Sequence, residues 1–172
     1  MPKMIRPLIV GNWKMHKTVR EAIAFAGLLR VRLDKAEDKT IAVAPPFTAL
    51  YAVAQALKDS GLSLAAQNVC DREEGAYTGE VSAQMLVEAG CRFVIVGHSE
   101  RRAFFGEGDD LINRKIRAAI KYDLTPIFCI GETLNERTSG ETFTVLKRQA
   151  EEGLKDISAS DVGHIVIAYE PV

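Results

Sequence analysis

The sequence predicts an α/β protein built as a (β/α)8 barrel, of which about the first six β/α units are present. Short apolar runs typical of strands buried on both faces alternate with amphipathic helical patterns along the chain. This alternation suits a doubly wound sheet or a closed barrel, and periodicity alone does not separate the two. Two observations favour the barrel. Residues 11–14 after the first strand lack the Gly-x-Gly-x-x-Gly turn of a dinucleotide-binding sheet, and polar residues follow several different strands.

The individual elements can be assigned in chain order. Thr18 and Glu21 have the spacing of a capping box, so the first helix begins there and continues with an apolar stripe to Leu33. Strands are predicted at 7–11, 40–44, 62–66, 93–97, 126–131 and 164–169, and further helices at 48–57, 82–89, 109–122 and 142–154. Because such barrels typically run to about 250 residues, we expect one catalytic barrel domain over 1–172 that lacks roughly two C-terminal units.

Composition and net charge argue against a protein that binds nucleic acid or spans a membrane. The 172 residues are 47% hydrophobic and 26% charged, which is ordinary for a globular domain with a real core. A formal net charge of -1 and a pI near 6.3 provide no basic field for nucleic acid, and the longest apolar runs are too short to span a membrane. The first residues lack the long apolar stretch and cleavage site of a secretory signal. We therefore expect a cytoplasmic protein with a small soluble partner.

The three cysteines predict neither disulfides nor a metal site. They are odd in number and widely spaced, with no Cys-x-x-Cys pair and no histidine cluster: Cys70, Cys91 and Cys129. Cys129 falls inside the fifth predicted strand, where a small buried core residue is the better interpretation.

Asn12 and Lys14 follow the first predicted strand. In one interpretation, Asn12 turns the chain and Lys14 is a solvated surface charge. In the other, Lys14 supplies a fixed positive charge for a phosphate or a developing oxyanion, and Asn12 holds the loop and donates a hydrogen bond.

Residues 97–102, Gly-His-Ser-Glu-Arg-Arg, follow the fourth predicted strand. His98 could be a structural histidine, and Glu100 could form an ordinary surface ion pair with one of the arginines. A functional role is favoured because His98 is among the first polar side chains beyond an apolar strand. His16 and His164 have no such neighbours, and we interpret them as structural or solvent-facing.

Glu170 follows the sixth predicted strand and precedes a proline, which favours extended geometry. It could simply be the first solvated residue after a strand. A carboxylate at the mouth of an apolar barrel can instead be partly desolvated, which strengthens it as a general base.

Segment 70–82 is longer than usual connections and carries a run of small and polar residues around one aromatic: Gly75, Ala76, Tyr77, Thr78, Gly79 and Glu80. A protruding tip of this kind suits a protein partner, and a merely mobile loop is the competing interpretation.

Together these segments carry a family resemblance. The motifs are Gly-Asn-Trp-Lys-Met at 11–15, Gly-Ala-Tyr-Thr-Gly-Glu-Val-Ser at 75–82, Val-Gly-His-Ser-Glu-Arg-Arg at 96–102, Cys-Ile-Gly-Glu at 129–132 and Ala-Tyr-Glu-Pro-Val at 168–172. In this order and spacing, from the first strand to the last residue, they resemble the triosephosphate isomerases. Five motifs at matching spacings are highly specific.

The resemblance implies the activity and the site. It implies interconversion of dihydroxyacetone phosphate and glyceraldehyde 3-phosphate, a step of glycolysis and gluconeogenesis, by a homodimer of TIM barrels that uses no metal or organic cofactor. Carried over by the resemblance, Glu170 is the base, His98 the electrophile and Lys14 the cation beside the substrate. Asn12 becomes a substrate contact, and Ser99 and Glu100 support the site. Segment 75–80 becomes the loop that enters the partner subunit, with Thr78 reaching toward its active site.

The resemblance also implies parts that the 172 residues do not include. In the family, a lid that contains Trp and Gly follows the Pro-Val pair, and later strands hold the phosphate. We therefore expect the 172-residue chain alone to be inactive and poorly soluble. Two other hypotheses are a different barrel enzyme acting on a sugar phosphate, which would not explain all five motifs, and an inactive barrel fragment that serves only in folding or association.

Overall fold

The computed structural model describes residues 6–33 and 38–170. Its strands are β1 Leu8–Asn12, β2 Thr40–Ala44, β3 Leu62–Ala66, β4 Cys91–Val96, β5 Thr125–Ile130 and β6 Val166–Tyr169. They form a six-stranded sheet in the order β1-β2-β3-β4-β5-β6, and the pairs β1–β2, β2–β3 and β5–β6 are parallel. Every predicted strand is present, with its ends shifted by at most two residues.

The helices are α1 Val19–Leu33, α2 Leu50–Ala56, α3 Ala83–Glu88, α4 Ser99–Phe105, α5 Asp109–Lys121, α6 Leu134–Thr138, α7 Thr142–Gly153 and α8 Ala159–Val162, with a 3₁₀ turn at Phe47–Ala49 before α2. The capping box that begins α1 is present: Glu21 N–H donates to Thr18 Oγ1, and Thr18 N–H donates to Glu21 Oε2. Helices α4, α6 and α8 were not predicted from periodicity, because none of their residues is buried and so no apolar stripe marks them.

The chain contains two compact units. The first comprises the described residues up to Gln67 together with Met85–Phe93. Within it, β1 and β2 pair in register from Leu8 with Thr40 to Asn12 with Ala44. Trp13 is buried at the end of β1 and meets Phe25 of α1 edge to face, with 5.4 Å between ring centroids. That residues 1–172 form a single catalytic barrel domain stays a prediction.

The second unit comprises Asn68–Gln84 and the described residues from Val94 onward. Phe128 of β5 is fully buried, and Gly153 of α7 packs so closely on its ring that a Cβ there would collide with it. Helix α7 buries one stripe, Val145, Gln149 and Gly153. Strand β6 pairs with β5 from Ile127 with Val166 to Ile130 with Tyr169. This packing fixes the carboxyl end of β6, where the candidate base lies.

None of the helices among the described residues combines the length and apolarity needed to cross a bilayer.

Candidate active site

His98 stands at the junction of β4 and α4. The chain leaves the buried strand through Gly97, whose φ of 75° favours glycine and where a Cβ would crowd Cys129 O and Arg102 Nη2. His98 then acts as the N-cap of α4, and its Nδ1 accepts a hydrogen bond from Glu100 N–H at 3.2 Å. The side chain is 10% exposed. The turn therefore fixes both the position and the orientation of the ring.

The capping bond also determines which ring nitrogen carries the proton. Because Nδ1 of His98 accepts an N–H, a neutral ring has its hydrogen on Nε2. That Nε2 lies 3.2 Å from Oε1 of Glu170. The other carboxylate oxygen, Oε2, accepts a hydrogen bond from Ser99 N–H at 3.0 Å. Both oxygens of Glu170 thus contact donors at the start of α4, where the helix dipole favours a negative charge.

Glu170 is held by the extension of the β5–β6 pairing beyond the end of β6. Its backbone N–H donates to Ile130 O at 2.9 Å, and its side chain is 35% exposed. Pro171 and Val172, which complete the motif, lie outside the described residues. The carboxylate lines an open cleft of about 480 Å³, whose wall also includes Ser99, Arg102, Gly131 and Glu132. A small ligand could reach the carboxylate through this cleft.

Arg102 ties the ends of β4 and β5 to α5. Its guanidinium donates to Gly97 O at 2.9 Å, to Cys129 O at 3.2 Å and to Asp109 Oδ1 at 2.5 Å. The neighbouring Arg101 pairs with Glu107. The arginines of the 97–102 motif therefore brace the backbone around His98.

A buried ion pair behind this motif was missed by sequence analysis. Lys115 of α5 and Glu107 are both buried and form an ion pair, and Lys115 Nζ also donates to Asn68 Oδ1 at 2.8 Å. The available signal was that Lys115 falls on the apolar stripe of α5 between Ile112 and Ala119. A buried ammonium needs a carboxylate partner.

Glu132 and Tyr169 form a second polar contact in the cleft region. The Tyr169 hydroxyl donates to Glu132 Oε1 at 3.0 Å, and that oxygen also accepts from Arg137 and Thr142. The Glu132 backbone N–H and the Tyr169 hydroxyl lower the pKa of Glu132, whereas burial and the nearby carboxylate raise the pKa of Tyr169. The carboxylate is thus stabilised in its charged form.

Asn12 and Lys14 are described within the first unit. Lys14 has a φ of 50°, and its N–H donates to Asn12 Oδ1 at 2.9 Å. Gln67 Nε2 donates to Lys14 O at 2.9 Å and to Ala44 O at 2.7 Å. These contacts order the turn and its exposed lysine. His98 and Glu170 belong to the second unit, so placing all four residues in one site stays a prediction.

Segment 70–82 is closed at its base by a hydrogen bond from Cys70 N–H to Val81 O at 2.8 Å. Asp71 pairs with Arg114 of α5 at 2.8 Å, and Glu73 pairs with Lys121, which lowers the pKa of Glu73. Residues 75–80 of this segment are exposed. The loop is therefore tied at its base, and its role toward a partner stays a prediction.

Comparison with known proteins identifies the family. The family model for triosephosphate isomerase matches residues 7–172. The chain belongs to the triosephosphate isomerase family. It is 53% identical over 169 residues to the triosephosphate isomerase of Syntrophotalea carbinolica, and the match covers 98% of this chain and 67% of the relative. For the triosephosphate isomerase of Carboxydothermus hydrogenoformans, the identity is 51% over 172 residues, with 98% and 67% covered.

The solved structures agree with the sequence relatives. The crystal structure of triosephosphate isomerase from Bartonella henselae is 39% identical to this chain, with a TM-score of 0.88, and the match covers 98% of this chain and 69% of that one. The predicted fold class is confirmed: the six strands and their helices match the first six β/α units of a TIM barrel. The family resemblance read from the five motifs is confirmed as well.

Proposed function

We propose that a polypeptide containing these residues is a triosephosphate isomerase that interconverts dihydroxyacetone phosphate and glyceraldehyde 3-phosphate. Membership of the family supports the reaction. The observation that carries the mechanism is the contact between His98 Nε2 and Glu170 Oε1 in an open cleft. A base and a neutral hydrogen-bond donor stand side by side, as transfer of a proton next to a carbonyl requires.

In this mechanism, Glu170 removes a proton from the carbon next to the substrate carbonyl. Negative charge then develops on the carbonyl oxygen, and His98 Nε2–H donates to it. That N–H and the Ser99 N–H both contact the carboxylate. A substrate oxygen that takes the His98 donor leaves Oε1 of Glu170 available to accept the proton from the substrate carbon.

The neutral state of His98 suits the next step. Its Nε2 proton can pass to one substrate oxygen while a proton returns from the other. Glu170 then returns the abstracted proton to the neighbouring carbon, which completes the shift of the carbonyl by one carbon. The hydrogen bond from Glu100 N–H to Nδ1 supports this state, because a doubly protonated ring could not accept it. Lys14 supplies the fixed positive charge beside the substrate, with Asn12 ordering its turn.

We place residues 75–80 against a second copy of the chain in a homodimer, with Thr78 toward the partner's site. Exposure of the loop and the ion pairs that hold its base support this. A cytoplasmic location fits a small phosphorylated substrate.

The chain spans about two thirds of the length of its relatives. Among the described strands, β1 and β6 end the sheet order, so each has a single strand neighbour. Exposed strand edges favour aggregation, and we propose that the 172-residue chain alone is inactive.

An isomerase assay tests the proposal. We expect a chain of the relatives' full length that contains these residues to isomerise either triose phosphate, and the 172-residue chain to be inactive. An intact mass on each sample identifies which chain is present. A folded full-length chain with no isomerase activity would contradict the proposed function. An intact mass corresponding to 172 residues for the purified protein would support the alternative of an inactive folding or association fragment.

A further inference from the structure

Gln149 is a buried polar residue whose contacts lead toward the candidate base. It lies on α7 between Val145 and Gly153, on the face that packs toward β5, and only 4% of it is exposed. Its side-chain amide makes two hydrogen bonds to one residue. Gly131 N–H donates to Gln149 Oε1 at 2.9 Å, and Gln149 Nε2 donates to Gly131 O at 2.9 Å. Both backbone groups of Gly131 are thus satisfied by one rigid amide.

Gly131 in turn lies directly against Glu170. A Cβ on Gly131 would collide with the backbone carbonyl oxygen of Glu170. The preceding residue, Ile130, accepts the backbone N–H of Glu170 at 2.9 Å. The backbone of Glu170 is therefore held from one side by residues 130 and 131, and the position of residue 131 is set by Gln149.

Helix α7, which carries Gln149, is itself fixed to the core of the second unit. Gly153, one turn along α7, contacts the buried ring of Phe128 in β5, and Asn113 of α5 donates to Gly153 O at 3.0 Å. A helix fixed to the core at this point resists sliding along the sheet. Displacement of Gly131 is opposed by two hydrogen bonds to that helix.

We propose that Gln149 is a positioning residue for Glu170 and acts through Gly131. The inference rests on the proposed function, in which Glu170 is the base. General-base catalysis demands a close approach between the carboxylate and the carbon that loses its proton, and a displacement of about 1 Å can cost about 10²-fold in rate. Without the Gln149 amide, the backbone of Gly131, against which Glu170 packs, becomes free to shift. The contacts that other residues make with the substrate are unaffected.

The test is a double-mutant cycle in a chain of the relatives' full length. Gln149→Met keeps the size of the side chain and removes both hydrogen bonds. We expect kcat to fall by about 10- to 100-fold, with little change in KM. In the Glu170→Gln background, the same substitution should cause little further loss, because the group that it positions is already removed. A purely structural role would lower activity equally in both backgrounds.

Val145→Ala is the matched control, since it weakens packing of the same helix without touching Gly131. We expect it to lower Tm and to leave kcat close to that of the unchanged protein. If Gln149→Met does not fold, Gln149→Glu, which retains an acceptor for Gly131 N–H and loses the donor for Gly131 O, takes its place in the same cycle.

The results that would contradict the positioning role differ from the result that would contradict the proposed function. Unchanged kcat in the folded variant, or equal losses in both backgrounds, overturns the positioning role and leaves the proposed function intact. If the full-length protein without any substitution lacks isomerase activity, the proposed function is contradicted before any variant is compared.

Discussion

The Nε2 atom of His98 lies 3.2 Å from Oε1 of Glu170, although these two residues follow β4 and β6 in separate β/α units. Ser99 N–H completes the contact at 3.0 Å from Oε2. At the start of α4, the His98 side chain is therefore a donor that can instead bind a substrate oxygen. The Ser99 N–H is a backbone donor that remains bound to the carboxylate. This relationship leads to specific predictions for a chain of the relatives' full length.

Replacement of His98 by Gln should lower kcat by about 10²- to 10⁴-fold, because the neutral donor and proton carrier is lost. Steady-state kinetics in both directions measure the effect. His164→Gln is the control, since His164 is exposed, and it should keep near-normal turnover. If His98→Gln also keeps near-normal turnover, His98 is not the electrophile.

Lys14→Met should weaken the binding of an anionic analogue of the enediolate, because a fixed positive charge is removed. Titration calorimetry with that analogue measures the change. Lys58→Met removes another exposed lysine of the same unit and should leave the affinity unchanged. Equal affinity of the Lys14 variant and the unchanged protein would remove Lys14 from the site.

Shortening of residues 75–80 should produce monomers with strongly reduced activity, because the contacts between subunits are proposed to centre on this loop. Sedimentation velocity gives the mass of the particle. Asp156→Asn, an exposed change outside the loop, should remain a dimer. A shortened protein that still sediments as a dimer shows that the loop does not hold the interface.

Stability should fall at high pH through Cys129. Burial, with a contribution from the charge of Glu170, raises the pKa of this thiol from 9.0 to about 12. Between these values, the unfolded chain loses the proton first, so the free energy of unfolding decreases as pH rises, by at most about 1.4 kcal/mol per pH unit. Below this window, the thiol has no such effect.

Urea unfolding at several alkaline pH values measures this slope. Cys129→Ala should be less stable at neutral pH because of the cavity, but it should show a shallower decline above pH 9. An identical slope in both proteins would contradict the assignment.

Sequence analysis located the strands because each is a short apolar run with a clear end. The polar residues after β1, β4 and β6 were found by the same logic, since the carboxyl ends of parallel strands are where barrels collect their sites. The contact between His98 and Glu170 itself could not be derived from spacing, because it depends on how α4 begins and on the register of β5 and β6.

The supporting residues were harder to predict. Gln149 stands on the buried stripe of α7 with Val145, so a buried polar side chain could have been suspected, but the sequence does not identify Gly131 as its partner. Lys115 poses the same problem with Glu107. Such pairings between a buried helix residue and a loop depend on tertiary packing, which the local pattern does not encode.

The central claim is that Glu170 is the base of a triose phosphate isomerisation, and Glu170→Gln tests it most directly because it keeps the shape and removes the proton acceptor. The measurement is kcat together with uptake of deuterium from solvent at the carbon next to the carbonyl, with exposed Glu152→Gln as the control. We predict a fall in both rates of at least about 10²-fold for Glu170→Gln and none for the control. Turnover and deuterium uptake close to those of the unchanged protein would contradict the account.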